Sequence, residues 1–356
     1  AATLETLARD GADAFYSGAN ASAIGAMVSA ATPQNRAMTE RDIASYRAMP
    51  RAPVCGVYRA YRICGMGPPS SGATTVIATL KQLERFNLAA LGSKSPVAWH
   101  LIAESMRLAY ADRELYLADS DFVSIPVRGL TDPNYLAARS KLISSTATMP
   151  KAHPGTPPGV TVSFADGAEP PESGTSHFVA IDGEGSVVSY TSTIEGSFGS
   201  GIMVGGYYLN NELTDFSFTP TVDDRPVANR VEGGKRPRSS MSPTVIYAPD
   251  GKLFMVVGAA GGATIPAQVT RAIVGAIDWK LDPAKALALP VLFAPGDTVF
   301  VEKGSKLEAM APRLRKLGHD VVARDMPLKA NAAIRRSGKW FGAADPRSEG
   351  MVMTPQ

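Results

Sequence analysis

The stretch "KLFMVVGAAGGATIPAQVTRAIVGAIDW", residues 252–279, constrains the fold more than any other part of the chain. It begins as an apolar run suited to a buried strand, turns on a group of glycines, and continues with apolar residues at helical spacing. The apolar face of that helix consists of Ile265, Val269, Ala272, Ile273, Ala276 and Ile277. A buried strand that leads directly into a packed helix belongs to a layered structure, so the sequence predicts a layered α+β or α/β domain.

The rest of the chain also mixes helical and strand patterns, and it shows no internal repeat. The segment "HFVAIDGEGSVVSYTST" alternates on both sides of Asp182–Gly185 and is typical of a β-hairpin. A strand, a helix and a further strand are predicted from Thr298 to about Ala323. Helical patterns cover residues 4 to about 30, about 73–86 and about 96–117. A further helix is predicted to start at Thr39, which is a plausible N-cap with Asp42 in the capping-box position.

The composition excludes several classes of protein. The 356 residues are 45% hydrophobic and 19% charged, which is ordinary for a globular protein with a large core. No apolar run reaches the roughly 18 residues of a membrane span. The net charge of +3 is spread without basic blocks, so nucleic acid is not an expected partner. No signal-peptide pattern is found at Ala1.

The two cysteines, Cys55 and Cys64, flank a predicted two-residue hairpin turn at Arg59–Ala60. Such a turn places them opposite each other as a non-hydrogen-bonded pair, with Cα atoms about 4.5 Å apart. That geometry allows a disulfide, which would indicate an oxidising compartment, and two buried thiols are the alternative. No Cys/His cluster has metal-ligand spacing, so neither a metal nor a cofactor is predicted.

A proline-rich stretch, residues 150–174, ends abruptly where a strand is predicted to begin at Thr175. Its composition is typical of a flexible linker or a domain boundary. A threonine hydroxyl is a weak nucleophile, but an N-terminal threonine carries its own base in the α-amine. Cleavage between Gly174 and Thr175 would therefore create a nucleophile. Taken alone, the position is explained more simply by a threonine that begins a strand.

The glycine turn "GAAGGAT" lies between the predicted strand and helix. Gly261 and Gly262 could point backbone N–H groups at an anion and act as oxyanion donors in acyl transfer. The turn lacks the ending of a P-loop and the spacing of a dinucleotide fingerprint. A tight turn without further role is the simpler interpretation of this motif alone.

Two polar clusters follow the hairpin. In "NNELTDF", Glu212 and Asp215 form a cluster that suits an ammonium group. In "KRPRSSMSPT", Ser239 and Ser240 could donate two hydroxyl groups to a carboxylate. Singly, each is better explained as a solvated turn or loop.

In their order and spacing, these motifs resemble the gamma-glutamyltransferase (glutathione hydrolase) family of N-terminal nucleophile hydrolases. "GPPSSG" and "RLAYADRELYLADSDFV" extend the resemblance over nearly the whole chain. The resemblance implies a four-layer αββα sandwich, in which two stacked, mainly antiparallel sheets are flanked by helices. The series that carries it is "TSHFVAIDGEGSVVSYTSTIEGSFGSGIM", "LNNELTDFS", "KRPRSSMSPT", "GAAGGATI" and "GAADPRSEG".

The resemblance also implies a processing scheme. Gly174–Thr175 would be an autoproteolytic junction. Residues 1–174 would be the C-terminal part of a large subunit, with 150–174 as its flexible tail. Residues 175–356 would be the small catalytic subunit, and the two subunits would form one structural domain as a heterodimer.

The family's motifs assign roles to residues of the catalytic centre. Thr175 would be the nucleophile, and Thr193 would be the second threonine that hydrogen-bonds to it. Gly261 and Gly262 would form the oxyanion hole.

The substrate-binding residues follow in the same way. Asp215 would hold the α-ammonium of the substrate, and Ser239 and Ser240 would hold its α-carboxylate. Glu195 and Glu212 stand where some members carry Asn and Gln, so three carboxylates are expected near one ammonium.

The chain departs from the family's pattern in three respects. Arg238 stands where a leucine is usual. Residues 216–234, which match the lid region, are short and lack an obvious lid tyrosine. The family's large subunit begins well upstream of Ala1, and that upstream part includes the arginine expected to clamp the α-carboxylate.

The expected activity is that of an autoprocessed γ-glutamyl hydrolase or transferase. It would cleave glutathione-like amides through a Thr175 acyl-enzyme and pass the acyl group to water or to an amino acid or peptide acceptor. The alternatives are a glutaryl or cephalosporin-type acylase of the same fold and an unprocessed, non-catalytic binding protein. The family implies a periplasmic or secreted location, with no membrane span and no nucleic-acid partner.

Overall fold

The computed structural model of the chain describes residues 2–33, 38–170 and 174–354. In these residues the helices are α1 (Ala2–Asp10), α2 (Asp13–Tyr16), α3 (Gly18–Ala31), α4 (Glu40–Ser45), α5 (Gly72–Leu83), α6 (Leu88–Leu91), α7 (Pro96–Tyr116), α8 (Val127–Leu130), α9 (Pro133–Ser140), α10 (Ile265–Ile277), α11 (Pro283–Leu287) and α12 (Lys306–Lys316). The strands are β1 (Val54–Tyr58), β2 (Tyr61–Gly65), β3 (Ser176–Ile181), β4 (Val187–Ser192), β5 (Met203–Val204), β6 (Tyr207–Tyr208), β7 (Thr221–Val222), β8 (Arg225–Pro226), β9 (Thr244–Tyr247), β10 (Leu253–Ala260), β11 (Leu292–Phe293), β12 (Thr298–Glu302), β13 (Asp320–Arg324), β14 (Lys329–Arg336) and β15 (Lys339–Ala344).

The chain divides into two compact units. The smaller unit contains the residues up to Arg51 together with Thr193–Glu212. The larger unit contains Ala52–Ser192 and the chain from Leu213 onward. The predicted junction Gly174–Thr175 therefore lies within the larger unit.

The smaller unit is built from α1–α4 and the short β5–β6 ladder. The predicted helical block over residues 4 to about 30 is confirmed, and the structure divides it into three consecutive helices. The breaks lie at Gly11–Ala12 and at Ser17, which is followed by Gly18; both glycines have positive φ, and glycine is a poor helix former. The predicted capping box is confirmed: the Thr39 hydroxyl accepts from the Asp42 amide at 3.3 Å, and the Asp42 carboxylate accepts from the Thr39 amide at 2.8 Å. The buried core of this unit is formed by Ala21, Ile24, Ile43 and Val204.

The larger unit is organised around a six-stranded antiparallel sheet in the order β1-β2-β9-β10-β14-β15. The central strand β10 is buried on both faces. Met255, Val257 and Ala259 belong to the same core as helices α5, α7 and α10. The opposite face of β10 and β14 is covered by the β3–β4 hairpin, whose His177 lies against Gly258. Burial on both faces explains why β10 is apolar almost throughout.

Local sequence patterns located most of the other elements correctly. The hairpin β1–β2 turns at Arg59–Ala60, as expected, and Cys55 pairs with Cys64. The two cysteines form a disulfide, with Cα atoms 4.1 Å apart, so the alternative of two thiols is not adopted. The predicted strand–helix–strand section is also confirmed, because β12, α12 and β13 form a parallel crossover.

The proline-rich stretch has no helix or strand between residues 150 and 170, yet part of it is held firmly against the larger unit. The Ala165 amide donates to the Pro226 carbonyl at 3.0 Å, and the Ser217 hydroxyl donates to the Ala168 carbonyl at 3.0 Å. Phe164 is buried. This attachment brings the chain that precedes the predicted junction into contact with the region of Ser217.

Within the described ranges, no helix has both the length and the apolar composition needed to cross a membrane.

Candidate active site

The predicted junction has an unusual backbone. Gly174 has φ 80° and Thr175 has φ 90°. A β-branched residue at positive φ is a genuine outlier, and such conformations cost on the order of 1–3 kcal/mol each. Thr175 is half-buried and directly precedes β3, in which Ser176 pairs with Ser192 at the end of the hairpin. The residue that the motifs match to the nucleophile therefore has a strained backbone.

His177 follows two residues later and is almost completely buried. Its Nδ1 lies 2.8 Å from the Thr191 hydroxyl, and its ring covers Gly258, where an added Cβ would lie 2.3 Å from the imidazole. Only glycine permits this close approach of hairpin and sheet. Burial lowers the pKa of His177 to about 4, so the ring is neutral at pH 7.

The glycine turn after β10 is rigidly held through its carbonyl groups. The Thr264 hydroxyl donates to the Gly261 carbonyl at 2.7 Å, and the side-chain amide of Gln268 donates to the Ala260 carbonyl at 2.8 Å. The Tyr110 hydroxyl donates to the Ala263 carbonyl at 2.6 Å.

Gly261 has φ 128°, and a Cβ there would lie 2.2 Å from the Pro327 carbonyl oxygen. In the described chain, the amide N–H groups of Gly261 and Gly262 donate to no protein acceptor. Two fixed amide donors of this kind suit an anionic ligand atom.

The loop that carries the two predicted carboxylate-binding serines is paired with the "GPPSSG" loop. Ser239 donates its amide to the Pro69 carbonyl at 3.1 Å, and its own carbonyl accepts from the Ser71 amide at 2.7 Å and from the Ser71 hydroxyl at 2.8 Å. The Ser70 hydroxyl donates to the Met241 carbonyl at 2.5 Å. These bonds fix the backbone of the Ser239–Ser240 segment.

Both serine hydroxyls accept hydrogen bonds from the protein. The Ser239 hydroxyl accepts from the Met241 amide at 3.2 Å, and the Ser240 hydroxyl accepts from Nη2 of Arg113 at 2.6 Å. In the part of the chain that the structure describes, neither hydroxyl donates to a protein acceptor. Each hydroxyl has one proton to donate, so the pair offers two unused donors, which suits a carboxylate.

Asp215 is linked to the serine loop through Asn229. The Asn229 side chain donates to the Asp215 carbonyl at 2.8 Å and accepts from the Arg238 amide at 2.8 Å. Asp215 is 7% exposed and ends a short 3-10 helix, Glu212–Asp215. Asn229 joins the predicted ammonium-binding and carboxylate-binding segments, and its sequence context gave no signal of this role.

Arg238 lies at the centre of a buried ionic group. Its guanidinium pairs with Glu114 on α7 and with Glu169, and Glu169 also accepts from Asn229 at 2.6 Å. Burial raises the pKa of Glu114, but Arg113 and Arg238 outweigh burial and bring it below the ordinary value. Burial raises the pKa of Glu169, and the charge of Arg238 offsets this only in part. Glu169 belongs to the stretch before the predicted junction, so this group ties that stretch to the serine loop.

The remaining predicted residues lie in the smaller unit. The Thr193 hydroxyl accepts from the Glu195 amide at 2.7 Å, and the buried Glu195 has φ 67°. The Asn211 side chain accepts from the Gly196 amide at 2.7 Å, and the Glu212 amide donates to the Asn210 side chain at 3.0 Å. Thr193, Glu195 and Glu212 are thus each set in a turn with local side-chain hydrogen bonds.

A cavity of about 650 Å³ lies elsewhere in the larger unit, between Trp99 and the start of α12. None of the residues predicted to take part in catalysis or binding lines it.

Comparison with known proteins assigns the chain to a family. The sequence profile of the Gamma-glutamyltranspeptidase family matches residues 1–354. The glutathione hydrolase proenzyme of Escherichia coli (strain K12) is 35% identical over 98% of this chain, and that of Bacillus subtilis (strain 168) is 34% identical over 99%. The acylase ACY 1 proenzyme of Pseudomonas sp. (strain SE83) is 32% identical over 98%.

Among solved structures, the cephalosporin acylase from Bacillus halodurans superimposes with a TM-score of 0.84 over 100% of this chain and 62% of its own, at 25% identity. The chain spans about 60% of the length of the E. coli and B. subtilis relatives. The profile match and these identities show that the chain belongs to the gamma-glutamyltranspeptidase family.

Proposed function

We propose that this chain is the catalytic part of an autoprocessed γ-glutamyl hydrolase or transferase with an N-terminal threonine nucleophile. The observation that carries the proposal is the positive φ of Thr175, a β-branched residue, at the position that the motifs match to the junction. Cleavage of the adjoining Gly174–Thr175 peptide bond would release the backbone strain at Thr175, and strained residues of this kind cluster at functional sites.

Processing would begin when the Thr175 hydroxyl attacks the Gly174 carbonyl. The C–N bond breaks, an ester forms, and the α-amine of Thr175 takes up the hydroxyl proton. Water then hydrolyses the ester and leaves a carboxylate on Gly174 and a free Thr175 N-terminus. The products would be a large subunit that ends at residue 174 and a small subunit that begins at residue 175, held together as a heterodimer.

Turnover would use the same hydroxyl. The α-amine of Thr175 accepts the hydroxyl proton as the oxygen attacks the γ-glutamyl carbonyl, and the amide nitrogen leaves with that proton. The N–H groups of Gly261 and Gly262 would stabilise the oxyanion, and loss of one such donor typically costs about 10²–10³-fold in rate. The resulting ester is then attacked by water or by an acceptor amine. Thr193 is proposed to hydrogen-bond to the nucleophile.

The two charged groups on the α-carbon of the γ-glutamyl group would be held by different residues. The unused hydroxyl donors of Ser239 and Ser240 suit the α-carboxylate. Asp215 would bind the α-ammonium, and Glu195 and Glu212 are proposed to add negative charge near it. A site that binds both the carboxylate and the ammonium selects an α-amino acid group over a simple acid, which has no ammonium.

The second candidate is a glutaryl or cephalosporin-type acylase, which the likeness to the Bacillus halodurans acylase supports. A glutaryl group has the terminal carboxylate but lacks the ammonium. The purified chain should hydrolyse γ-glutamyl-p-nitroanilide faster than glutaryl-p-nitroanilide. Faster glutaryl turnover would overturn the first proposal in favour of the second, and absence of both activities in a processed chain would overturn both.

The finer fold and the location are also proposals. The helices, the six-stranded sheet and the β3–β4 hairpin are consistent with successive layers of an αββα sandwich. The Cys55–Cys64 disulfide supports an oxidising compartment, and thus a periplasmic or secreted protein.

A further inference from the structure

The guanidinium of Arg113 is in direct contact with the Ser239–Ser240 segment. Arg113 is 3% exposed and belongs to the last turns of α7. Its Nη2 donates to the Ser240 hydroxyl at 2.6 Å, and its Nε donates to the Ser71 hydroxyl at 2.9 Å. One planar group therefore supports two serines from two different loops.

The position of this guanidinium is fixed on its remaining sides. Its Nη1 pairs with Glu114, and its central carbon lies 5.6 Å from the centre of the Tyr110 ring. Ser71 connects Arg113 to the backbone of Ser239, because the Ser71 hydroxyl accepts from Arg113 and donates to the Ser239 carbonyl at 2.8 Å. Arg113 thus sets both the Ser240 side chain and, through Ser71, the peptide group that joins the two serines.

The chemistry of the groups determines the direction of the Ser240 hydrogen bond. An arginine side chain only donates, so the Ser240 oxygen must accept from Arg113. Its own proton therefore points away from Arg113, and in the described residues it meets no protein acceptor. A buried hydroxyl with an unused donor is uncommon, since buried polar groups are normally satisfied.

The charge of Arg113 adds to this effect. Donation from a cation polarises the Ser240 hydroxyl and makes it a stronger donor to an anion. A lysine could supply the charge, but its three donors lie on one nitrogen, whereas Arg113 reaches Ser71 and Ser240 from two nitrogens of one plane, Nε and Nη2.

We propose that Arg113 is a positioning residue that presents the Ser240 hydroxyl as a polarised donor to the α-carboxylate of the substrate. This inference rests on the proposed γ-glutamyl activity and names the residue that makes its carboxylate subsite selective. Arg113 acts through Ser240 and Ser71 and need not touch the substrate.

The test compares two substrates that differ only in the α-carboxylate: γ-glutamyl-p-nitroanilide and 4-aminobutanoyl-p-nitroanilide. The wild-type chain should prefer the first. Arg113→Met should lower kcat/KM for the γ-glutamyl substrate by about 10- to 100-fold, the range for a lost hydrogen bond to a charged group, mainly through KM. It should leave the 4-aminobutanoyl substrate almost unchanged, so that the preference is lost.

Two further variants separate positioning from a structural effect. Arg113→Met should cost less in a Ser240→Ala background than in the wild type, since the part of its effect that passes through that hydroxyl is already lost. Arg139→Met is the matched control: Arg139 is also buried and bonded to α7, at Leu108 and Asp112, but it touches neither serine. It should leave the substrate preference intact. If Arg113→Met does not fold, Arg113→Lys, which keeps the charge beside Glu114, is measured in its place with the same expected loss of preference.

The outcomes distinguish this inference from the proposed function. A wild-type chain that prefers the γ-glutamyl substrate, with an Arg113 variant that slows both substrates equally, overturns the positioning role and leaves the proposed function standing. Effects of Arg113→Met and Ser240→Ala that add independently also overturn it. A processed wild-type chain with no preference for the carboxylate overturns the proposed function and this inference together.

Discussion

Arg238→Leu tests the buried ionic group that Arg238 forms with Glu114 and Glu169. The Arg238 side chain is fully buried, and those of its partners Glu114 and Glu169 are 27% and 15% exposed. Leucine would leave Glu114 with Arg113, but Glu169 would keep only the hydrogen bond from Asn229. Removing one side of a buried ion pair costs about 3–5 kcal/mol, because a charge is left without compensation.

This loss of unfolding free energy corresponds to a measurable fall in the melting temperature, Tm. With an unfolding entropy of about 2.1 cal/mol/K per residue, a chain of 356 residues has roughly 0.75 kcal/mol/K in total, so Tm should fall by about 4–7 °C. Differential scanning calorimetry of the variant in an uncut Thr175→Ala background avoids changes caused by processing.

Two variants complete the experiment. Lys252→Leu is the control, because Lys252 and its partner Asp250 are both exposed and 3.3 Å apart, and it should shift Tm by less than about 1 °C. Arg238→Leu combined with Glu169→Leu should recover most of the loss, since both buried charges are then removed. A single Arg238→Leu variant that melts within about 1 °C of its parent would refute the reasoning.

Three further predictions concern the nucleophile, the ammonium site and pH. Thr175→Ala should abolish both chain cleavage and turnover, whereas Thr175→Ser should retain both; fragments from Thr175→Ala on a denaturing gel would exclude a shared hydroxyl. Asp215→Asn should raise KM for γ-glutamyl-p-nitroanilide by about 10- to 100-fold; an unchanged KM would contradict the ammonium role. Burial lowers the pKa of His177 to about 4, and burial together with the charge of His100 lowers the pKa of His319 to about 4. Because both folded-state values lie below the ordinary value of about 6.5, their contribution to stability is complete above about pH 6.5 and is lost as pH falls towards 4. Tm should therefore fall between pH 7 and pH 5, and the fall should be smaller in His319→Gln; an identical fall in that variant would contradict the assignment.

Local patterns predicted those parts of the fold that depend on neighbouring residues. The Thr39 capping box, helix α7 from Pro96 and the β3–β4 hairpin each have a short-range signal. The division of residues 4–30 into three helices has only a weak local signal, because Gly11 and Gly18 are single glycines in a segment whose other residues are compatible with a helix. The strands β14 and β15 were missed because their alternation is weak, and pairing with β10 stabilises them in the sheet.

The polar contacts of the candidate site could not be predicted in the same way. Arg113 and Ser240 are 127 residues apart, and Arg238 and Glu169 are 69 apart. No pattern in either segment indicates which charged side chains turn inward, because that depends on partners that only the folded chain brings together. The motifs predicted Ser239 and Ser240, whereas only the structure shows that Arg113, Ser71 and Asn229 surround them.

The most direct test of the account is the intact mass of the purified chain under denaturing conditions, with N-terminal sequencing of any small fragment. If Thr175 is the nucleophile, two fragments are expected, the smaller of which begins Thr-Ser-His-Phe, the sequence that starts at Thr175. A single uncut chain of 37.4 kDa, or a cut at any other bond, would contradict the assignment of Thr175 as the nucleophile.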